Sequence, residues 1–134
     1  MPLRLVPILL VMGSSWLLAA AASSDAPDPQ LAEGQKRYAE VCARCHGPTM
    51  DGIERAPALK GAEFRANWNG KMARELYKRI ISTMPQDDPG SLPEQDVIAI
   101  TSYVLSASDM HLPPVQKAND LNTIPMNLGT AVHN

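Results

Sequence analysis

The stretch Cys42-Ala43-Arg44-Cys45-His46 decides how this sequence is interpreted. It follows the pattern Cys-x-x-Cys-His, in which two thiols stand one helical turn apart and an imidazole comes directly after the second. That spacing lets each thiol add to one vinyl group of the same porphyrin, and it brings the imidazole to the iron from one face. The motif therefore predicts one covalently bound haem c, attached through Cys42 and Cys45 with His46 as an iron ligand.

Three other interpretations of the motif compete with this one. A thioredoxin-like redox pair belongs in a βαβ context, and no strand pattern precedes Cys42. A structural zinc site usually takes about four Cys or His ligands, whereas the chain has 2 cysteines and neither His111 nor His133 has the matching spacing. A simple structural disulfide between the two cysteines is the main alternative.

The composition narrows the class of protein. The chain has 134 residues, 4% of them aromatic, and a formal net charge of −2. A nucleic-acid-binding domain usually presents a strongly basic face, so we expect no nucleic acid among the partners. A domain of this size leaves much of its surface exposed, and it has few large rings to fill a core. A haem would supply the missing large planar group.

The first segment has the pattern of a secretory leader. Arg4 supplies a positive charge, residues 5–22 carry none, and the run ends in the small residues Ala19 to Ala22, as signal peptidase prefers. We expect a signal peptide over residues 1–22, a polar linker over 23–29 and a periplasmic location. Left uncleaved, the leader would anchor the chain, since an uncharged run of that length just spans a bilayer.

Helical patterns account for most of the remaining chain. Asp28 followed by Pro29 is typical of a helix N-terminus, and this first helix closes at the haem-attachment motif. A second helix is predicted from Lys71 to Ser82. A third begins at a capping box formed by Ser91 and Glu94. Its apolar residues recur at helical spacing and are Val97, Ile100, Thr101, Val104 and Leu105.

The domain organisation follows from these helices. We expect an all-α body over residues 30–109, in which three main helices, a short turn around Phe64 and several loops wrap one covalent haem. After Asp109 the periodicity is weak and prolines interrupt the chain at positions 113, 114 and 125. Residues 110–134 are therefore predicted to form an extended, partly mobile C-terminal tail.

A second axial ligand is expected because a haem that only transfers electrons usually has one. The methionines after the leader are Met50, Met72, Met84, Met110 and Met126. Met84 ends the apolar stripe of the second helix, and Pro85 fixes the chain as it leaves that helix. We predict Met84 as the sixth ligand. The alternatives are that Met84 fills the core and that His111 completes a bis-histidine haem of lower potential.

Taken together, these residues resemble the class I c-type cytochromes, the small single-haem cytochrome c family. The matching residues occur in the family's order and are Gly34, Tyr38, the Cys42–His46 motif, Ala56-Pro57-Ala58-Leu59-Lys60-Gly61, Met84-Pro85 and Tyr103. The resemblance covers roughly residues 31–108. It implies that Gly34 and Tyr38 lie where the first and last helices cross, close to Tyr103.

The resemblance also implies roles for two further residues. Pro57 would offer the carbonyl that accepts the second ring proton of His46, a contact that orients a metal-bound imidazole. Trp68 would line the haem edge or bond a propionate, unless it is an ordinary core tryptophan. With Phe64 and Met84-Pro85 it makes the chain similar to cytochrome domains that partner periplasmic dehydrogenases.

The function predicted from the sequence is one-electron transfer without catalysis of its own. The expected partners are redox proteins, namely a dehydrogenase, an oxidase or another cytochrome. The alternatives are a haem-binding subunit of an oxidoreductase and a haem sensor or peroxidase with a displaceable sixth ligand. Residues 60–79 are rich in Lys and Arg, whereas residues 87–109 have neither. Such asymmetry either orients a redox partner or reflects two solvated helix faces.

Overall fold

The computed structural model describes residues 28–54 and 56–129, so the predicted signal peptide and most of the linker lie outside the described residues. The helices are α1 (Pro29–Arg37), a π-helical turn (Tyr38–Cys42), α2 (Ala43–His46), α3 (Gly61–Trp68), α4 (Ala73–Thr83), α5 (Glu94–Ser106) and a 3₁₀ helix (Ala118–Thr123). These residues contain no β-strand, only isolated bridges, which confirms the all-α prediction. Nor does any helix among them combine the length and apolarity that a membrane crossing needs.

The first helix begins as its sequence predicts. The Asp28 carboxylate accepts a hydrogen bond from the Gln30 N–H at 2.8 Å, and Pro29 occupies the first turn. Asp28 and Pro29 therefore belong to the helix start and not to a linker. The helix then continues through the π-helical turn, where the Ala43 N–H bonds to the Tyr38 carbonyl. It ends at Gly47, whose φ is 80°.

Helices α1 and α5 cross at Gly34, as the resemblance implied. A Cβ atom on Gly34 would lie 2.1 Å from the Ala99 carbonyl oxygen, so only a residue without a side chain allows this approach. The rings of Tyr38 and Tyr103 pack beside the crossing with their centroids 5.6 Å apart. Near the crossing, Arg37 Nη2 of α1 donates to Asp96 Oδ2 of α5 at 2.6 Å and links the two helices.

The predicted second and third helices are both present, but each begins at a residue other than the one predicted. Helix α4 starts at Ala73 instead of Lys71, because the Lys71 carbonyl accepts a hydrogen bond from the Met126 N–H. The capping box predicted for Ser91 and Glu94 is wrong. Helix α5 starts at Glu94 with Pro93 in the capping position and no side-chain cap. The buried side chains of these two helices form the centre of the core, and include Leu76, Tyr77, Ile80, Val97, Ile100, Val104 and Leu105.

The segment after Asp109 differs from the expected extended, mobile tail. Residues 110–128, here called the C-terminal strap, cross the body and bury Leu112, Val115, Ala118, Leu121, Met126 and Leu128. The strap is also hydrogen-bonded to the helices. The N–H of Val115 donates to Gln30 Oε1 at 3.0 Å, and the N–H of Ala118 donates to Glu94 Oε1 at 2.9 Å. The prolines of the strap prevent a regular helix, but they do not prevent its side chains from packing on the body.

Three backbone bonds join the strap to the connection between α3 and α4. The Gly70 N–H donates to the Met126 carbonyl, the Met126 N–H to the Lys71 carbonyl and the Ala73 N–H to the Ile124 carbonyl, each at 2.8 Å. These bonds position the connection that follows α3, a helix of 8 residues where only a short turn around Phe64 was expected.

Candidate haem site

The attachment motif lies at the end of the first helix. Cys42 is the last residue of the π-helical turn, and Cys45 and His46 close α2. Buried Tyr38 supports this end, since its hydroxyl donates to the Gly47 carbonyl at 2.7 Å and burial raises its pKa. The motif is thus held by a rigid helix on one side and by a buried hydrogen bond at its end.

The imidazole of His46 is oriented by the loop that follows it. His46 is 8% exposed, and its Nδ1 lies 2.8 Å from the Pro57 carbonyl oxygen. Because a carbonyl can only accept, Nδ1 is the donor in this contact, which leaves Nε2 as the ring nitrogen available to a metal. A lone pair on Nε2 is what an iron ligand needs.

Gly52 shapes the same loop, although no sequence pattern singled it out. Its N–H donates to the His46 carbonyl at 3.0 Å. Its φ is 77°, and a Cβ atom there would lie 2.7 Å from both the Ala56 oxygen and the Ala58 nitrogen. The chain can therefore fold Pro57 back onto His46 only with glycine at this position.

The two cysteines are unpaired thiols in the structure. Cys42 is half-buried and Cys45 is exposed. Burial raises the pKa of Cys42 to about 11, although Arg37 and Arg44 act in the opposite direction. Thioredoxin-like pairs need a lowered thiol pKa, so this environment does not suit a redox-active dithiol. Across residues 28–54 and 56–129, no three His, Cys, Asp or Glu side chains converge as metal ligands.

A cavity of about 930 Å³ opens in front of the motif. All six residues predicted for the site line it, namely Cys42, Cys45, His46, Pro57, Trp68 and Met84. Its walls are mainly apolar and include Leu59, Phe64, Leu76, Ile80, Leu92, Ile100 and Val104. Ligand-binding clefts are mainly apolar and have volumes of about 300–1,000 Å³, so this cavity has the size and lining of a site for a large apolar group. Two free thiols, an imidazole oriented by Pro57 and apolar walls fit a haem.

The structure separates Met84 from the other candidate sixth ligands. Of the five methionines within the described ranges, Met84 alone lines the cavity. Met50 and Met126 are buried in the core elsewhere, and Met72 is 41% exposed. His111 is exposed and is not among the residues that line the cavity.

Trp68 lies in α3 on the cavity wall. Its ring centroid is 6.2 Å from that of Phe64, and the Lys71 ammonium stands 5.0 Å from the Trp68 ring. These contacts place the indole between the apolar wall and a cation. Trp68 is half-buried, as expected for a ring at the edge of a cavity.

The charges are less separated in space than along the chain. Residues 87–109, which contain acidic residues but no Lys or Arg, are here called the acidic stretch, and residues 60–79 are called the basic stretch. In the acidic stretch, Asp87 pairs with Arg44 and Asp96 pairs with Arg37. In the basic stretch, Lys60 pairs with Asp51 at 3.1 Å. The Arg44–Asp87 pair was not predicted, because neither residue belongs to a local sequence pattern that points to the other. Two carboxylates of the acidic stretch are thus in ion pairs, compared with one cation of the basic stretch.

Comparisons with known proteins identify the family of the chain. The family described as "Cytochrome C oxidase, cbb3-type, subunit III" matches residues 29–104. Thiosulfate dehydrogenase of Psychrobacter arcticus is 35% identical over 100 residues, which cover 69% of this chain and 29% of that protein. The chain thus spans less than a third of the length of this relative.

A solved structure shows the same fold. The crystal structure of the sulfane dehydrogenase SoxCD from Paracoccus pantotrophus matches with a TM-score of 0.55 at 21% identity, covering 72% of this chain and 52% of that chain. The small cytochrome c fold predicted from the sequence is therefore confirmed. Because the family match covers more than half of the chain, the chain belongs to the family of cytochrome c oxidase, cbb3-type, subunit III, and is a class I c-type cytochrome.

Proposed function

We propose that this cytochrome carries one electron at a time on a single haem c, bound through Cys42 and Cys45 with His46 and Met84 as axial ligands. One observation carries the proposal. A single cavity brings both thiols, the His46 ring and the Met84 side chain together, whereas the other described methionines and His111 lie elsewhere. The chain contains 2 cysteines, which is enough for one such attachment.

The residues around the cavity suit electron transfer. Haem iron supplies a one-electron couple when bound. Pro57 holds the His46 ring in one orientation, which limits rearrangement between oxidation states. A methionine thioether is a softer donor than imidazole and favours a higher potential. The apolar walls keep water from the site, while Cys45 and Ile53, which is 55% exposed, leave one edge open to a partner.

The proposed partners are a dehydrogenase that donates electrons and a respiratory protein that accepts them. This rests on the resemblance to dehydrogenase-associated domains and on two matches named as dehydrogenases. The proposed location is the periplasm, reached through the leader over residues 1–22. Partnership with a dehydrogenase makes this chain a non-catalytic carrier or a carrier subunit of a larger oxidoreductase.

The alternative is a haem with an open or displaceable sixth position, which would suit a sensor or a peroxidase. Visible and far-red spectra of the haem-loaded protein separate the two. We expect a low-spin spectrum with the weak sulfur-to-iron charge-transfer band. That band should disappear in Met84→Ala and persist in Met72→Ala, a control whose side chain does not line the cavity. A high-spin spectrum would favour the alternative, and protein without attached haem would favour a disulfide.

A further inference from the structure

We propose that Arg44 and Asp87 form a latch that holds the Met84 segment against the attachment motif and slows the loss of the sixth ligand. Arg44 Nη2 donates to both carboxylate oxygens of Asp87, at 2.5 Å to Oδ1 and 2.7 Å to Oδ2. This inference rests on the proposed ligation by His46 and Met84. It assigns the two charged residues a positioning role.

The location of the pair carries the argument. Arg44 stands between the two cysteines of the motif, and Asp87 follows Met84 by three residues. Both side chains line the cavity, as do Pro85 and Gln86 between Asp87 and the proposed ligand. The pair therefore joins the two segments that supply the two proposed axial ligands.

The other hydrogen bonds of the Met84 segment are local. The Met84 N–H bonds to the Ile80 carbonyl, the Asp88 N–H to the Pro85 carbonyl and the Ser91 N–H to the Asp88 carbonyl. Within the described residues, Arg44–Asp87 provides the only hydrogen bonds between residues 42–47 and 84–91. Displacing Met84 from the cavity moves this segment, so the latch opposes that movement.

The size of the effect follows from exposure. The two side chains are 54% and 62% exposed, and exposed ion pairs contribute little to stability. We expect removal of either charge to speed ligand exchange at the sixth position by roughly two- to fivefold. Global stability should change little, because neither side chain is part of the core.

The test measures imidazole binding to the oxidised, haem-loaded protein, since imidazole binds only after Met84 leaves. Arg44→Gln and Asp87→Asn should each bind roughly two- to fivefold faster, and the double variant should be no faster than either single one. The exchanged pair Arg44→Asp with Asp87→Arg should restore slow binding. Asp88→Asn is the matched control, being an exposed neighbour on the same turn.

The outcomes distinguish this inference from the proposed function. If the wild-type far-red band is absent, the proposed ligation fails and the latch fails with it. If the band is present in every variant but the single variants bind imidazole at the wild-type rate, only the latch is wrong. Equal acceleration of imidazole binding by Asp88→Asn would also overturn the latch, because the acceleration would then come from the loss of any negative charge on this turn and not from the loss of the Arg44–Asp87 pair. Replacing Arg44 changes the attachment motif itself, whereas Asp87→Asn tests the ion pair with the motif intact.

Discussion

The Nδ1 atom of His46 lies 2.8 Å from the carbonyl oxygen of Pro57, a residue on the loop that follows the attachment motif. The contact fixes both the ring plane and the tautomer of the proposed iron ligand. It depends on the backbone of the loop, because the accepting atom is a main-chain oxygen. Changes to the loop path should therefore affect His46 more than changes to the Pro57 side chain.

Gly52→Ala should destabilise the haem-loaded protein and loosen His46. The new Cβ would lie 2.7 Å from two backbone atoms, so the loop must move in addition to bearing the strain of a positive φ. We expect a loss of about 2–4 kcal/mol in the free energy of unfolding, measured by denaturant titration.

Gly70→Ala is the control for this experiment. Gly70 also has a positive φ of 80°, but a Cβ atom there would meet nothing within 4 Å. The variant should therefore lose only about 1 kcal/mol. Equal losses in the two variants would show that steric contact in the Gly52 loop is unimportant.

Gly34→Ala should separate α1 from α5. A Cβ at this position would lie 2.1 Å from the Ala99 carbonyl oxygen and 2.8 Å from the Tyr103 Cβ. Because the obstacle is backbone, we expect a loss of about 3 kcal/mol or more in the free energy of unfolding. Thermal or denaturant unfolding measures it. Exposed Glu33 on the same helix provides the comparison, since Glu33→Ala should change stability by less than about 0.5 kcal/mol. A Gly34→Ala protein of wild-type stability would contradict the close crossing.

Leu121→Ala should reveal the contribution of the C-terminal strap to the core. Leu121 is 0% exposed, and truncating a buried leucine leaves a cavity that costs about 2–5 kcal/mol. Unfolding of the haem-loaded protein by denaturant measures the loss. The neighbouring Asn122 is exposed, and Asn122→Ala should have an effect below about 0.5 kcal/mol. Similar small losses in both variants would mean that the strap is not part of the cooperative unit.

Oxidation of the reduced protein by hexacyanoferrate(III) should slow as ionic strength rises. The basic residues between positions 60 and 79 keep more of their charge unpaired than the acidic stretch does, so an anionic partner is attracted to this region. We expect the rate to fall by roughly three- to tenfold between about 0.01 and 0.15 M salt, as the Debye length shortens to about 8 Å. Lys78→Gln should reduce this dependence. A rate that does not change with salt would mean that the charge asymmetry does not orient a partner and reflects only two solvated helix faces.

Much of the site could be predicted from the sequence because its signals are local. Cys42, Cys45 and His46 form a contiguous motif, and the stripe that ends at Met84 has helical spacing. Gly34, Tyr38 and Tyr103 were placed by resemblance, and the crossing of α1 and α5 confirms that placement. In each case a short pattern or a family match specifies the position.

The features that were missed depend on distant contacts. The strap has no periodicity because its backbone groups bond to other elements, including Lys71 and Gly70. The Ser91–Glu94 pattern fits a capping box, but Pro93 takes the capping position and the Glu94 carboxylate accepts from the strap at Ala118 instead. No residue pattern marks the Arg44–Asp87 pair. Such arrangements appear only once the chain is folded.

The π-helical turn at Tyr38–Cys42 allows the first helix to serve two purposes. A wide turn holds one residue more than a regular turn, which rotates everything after it around the helix axis. The half before the turn packs on α5 at Gly34, and the half after it faces the cavity with Cys45 and His46. The angle between these two faces is set by main-chain hydrogen bonds. The direction in which the attachment motif faces, relative to the contact with α5, is therefore a property of the main chain at this turn.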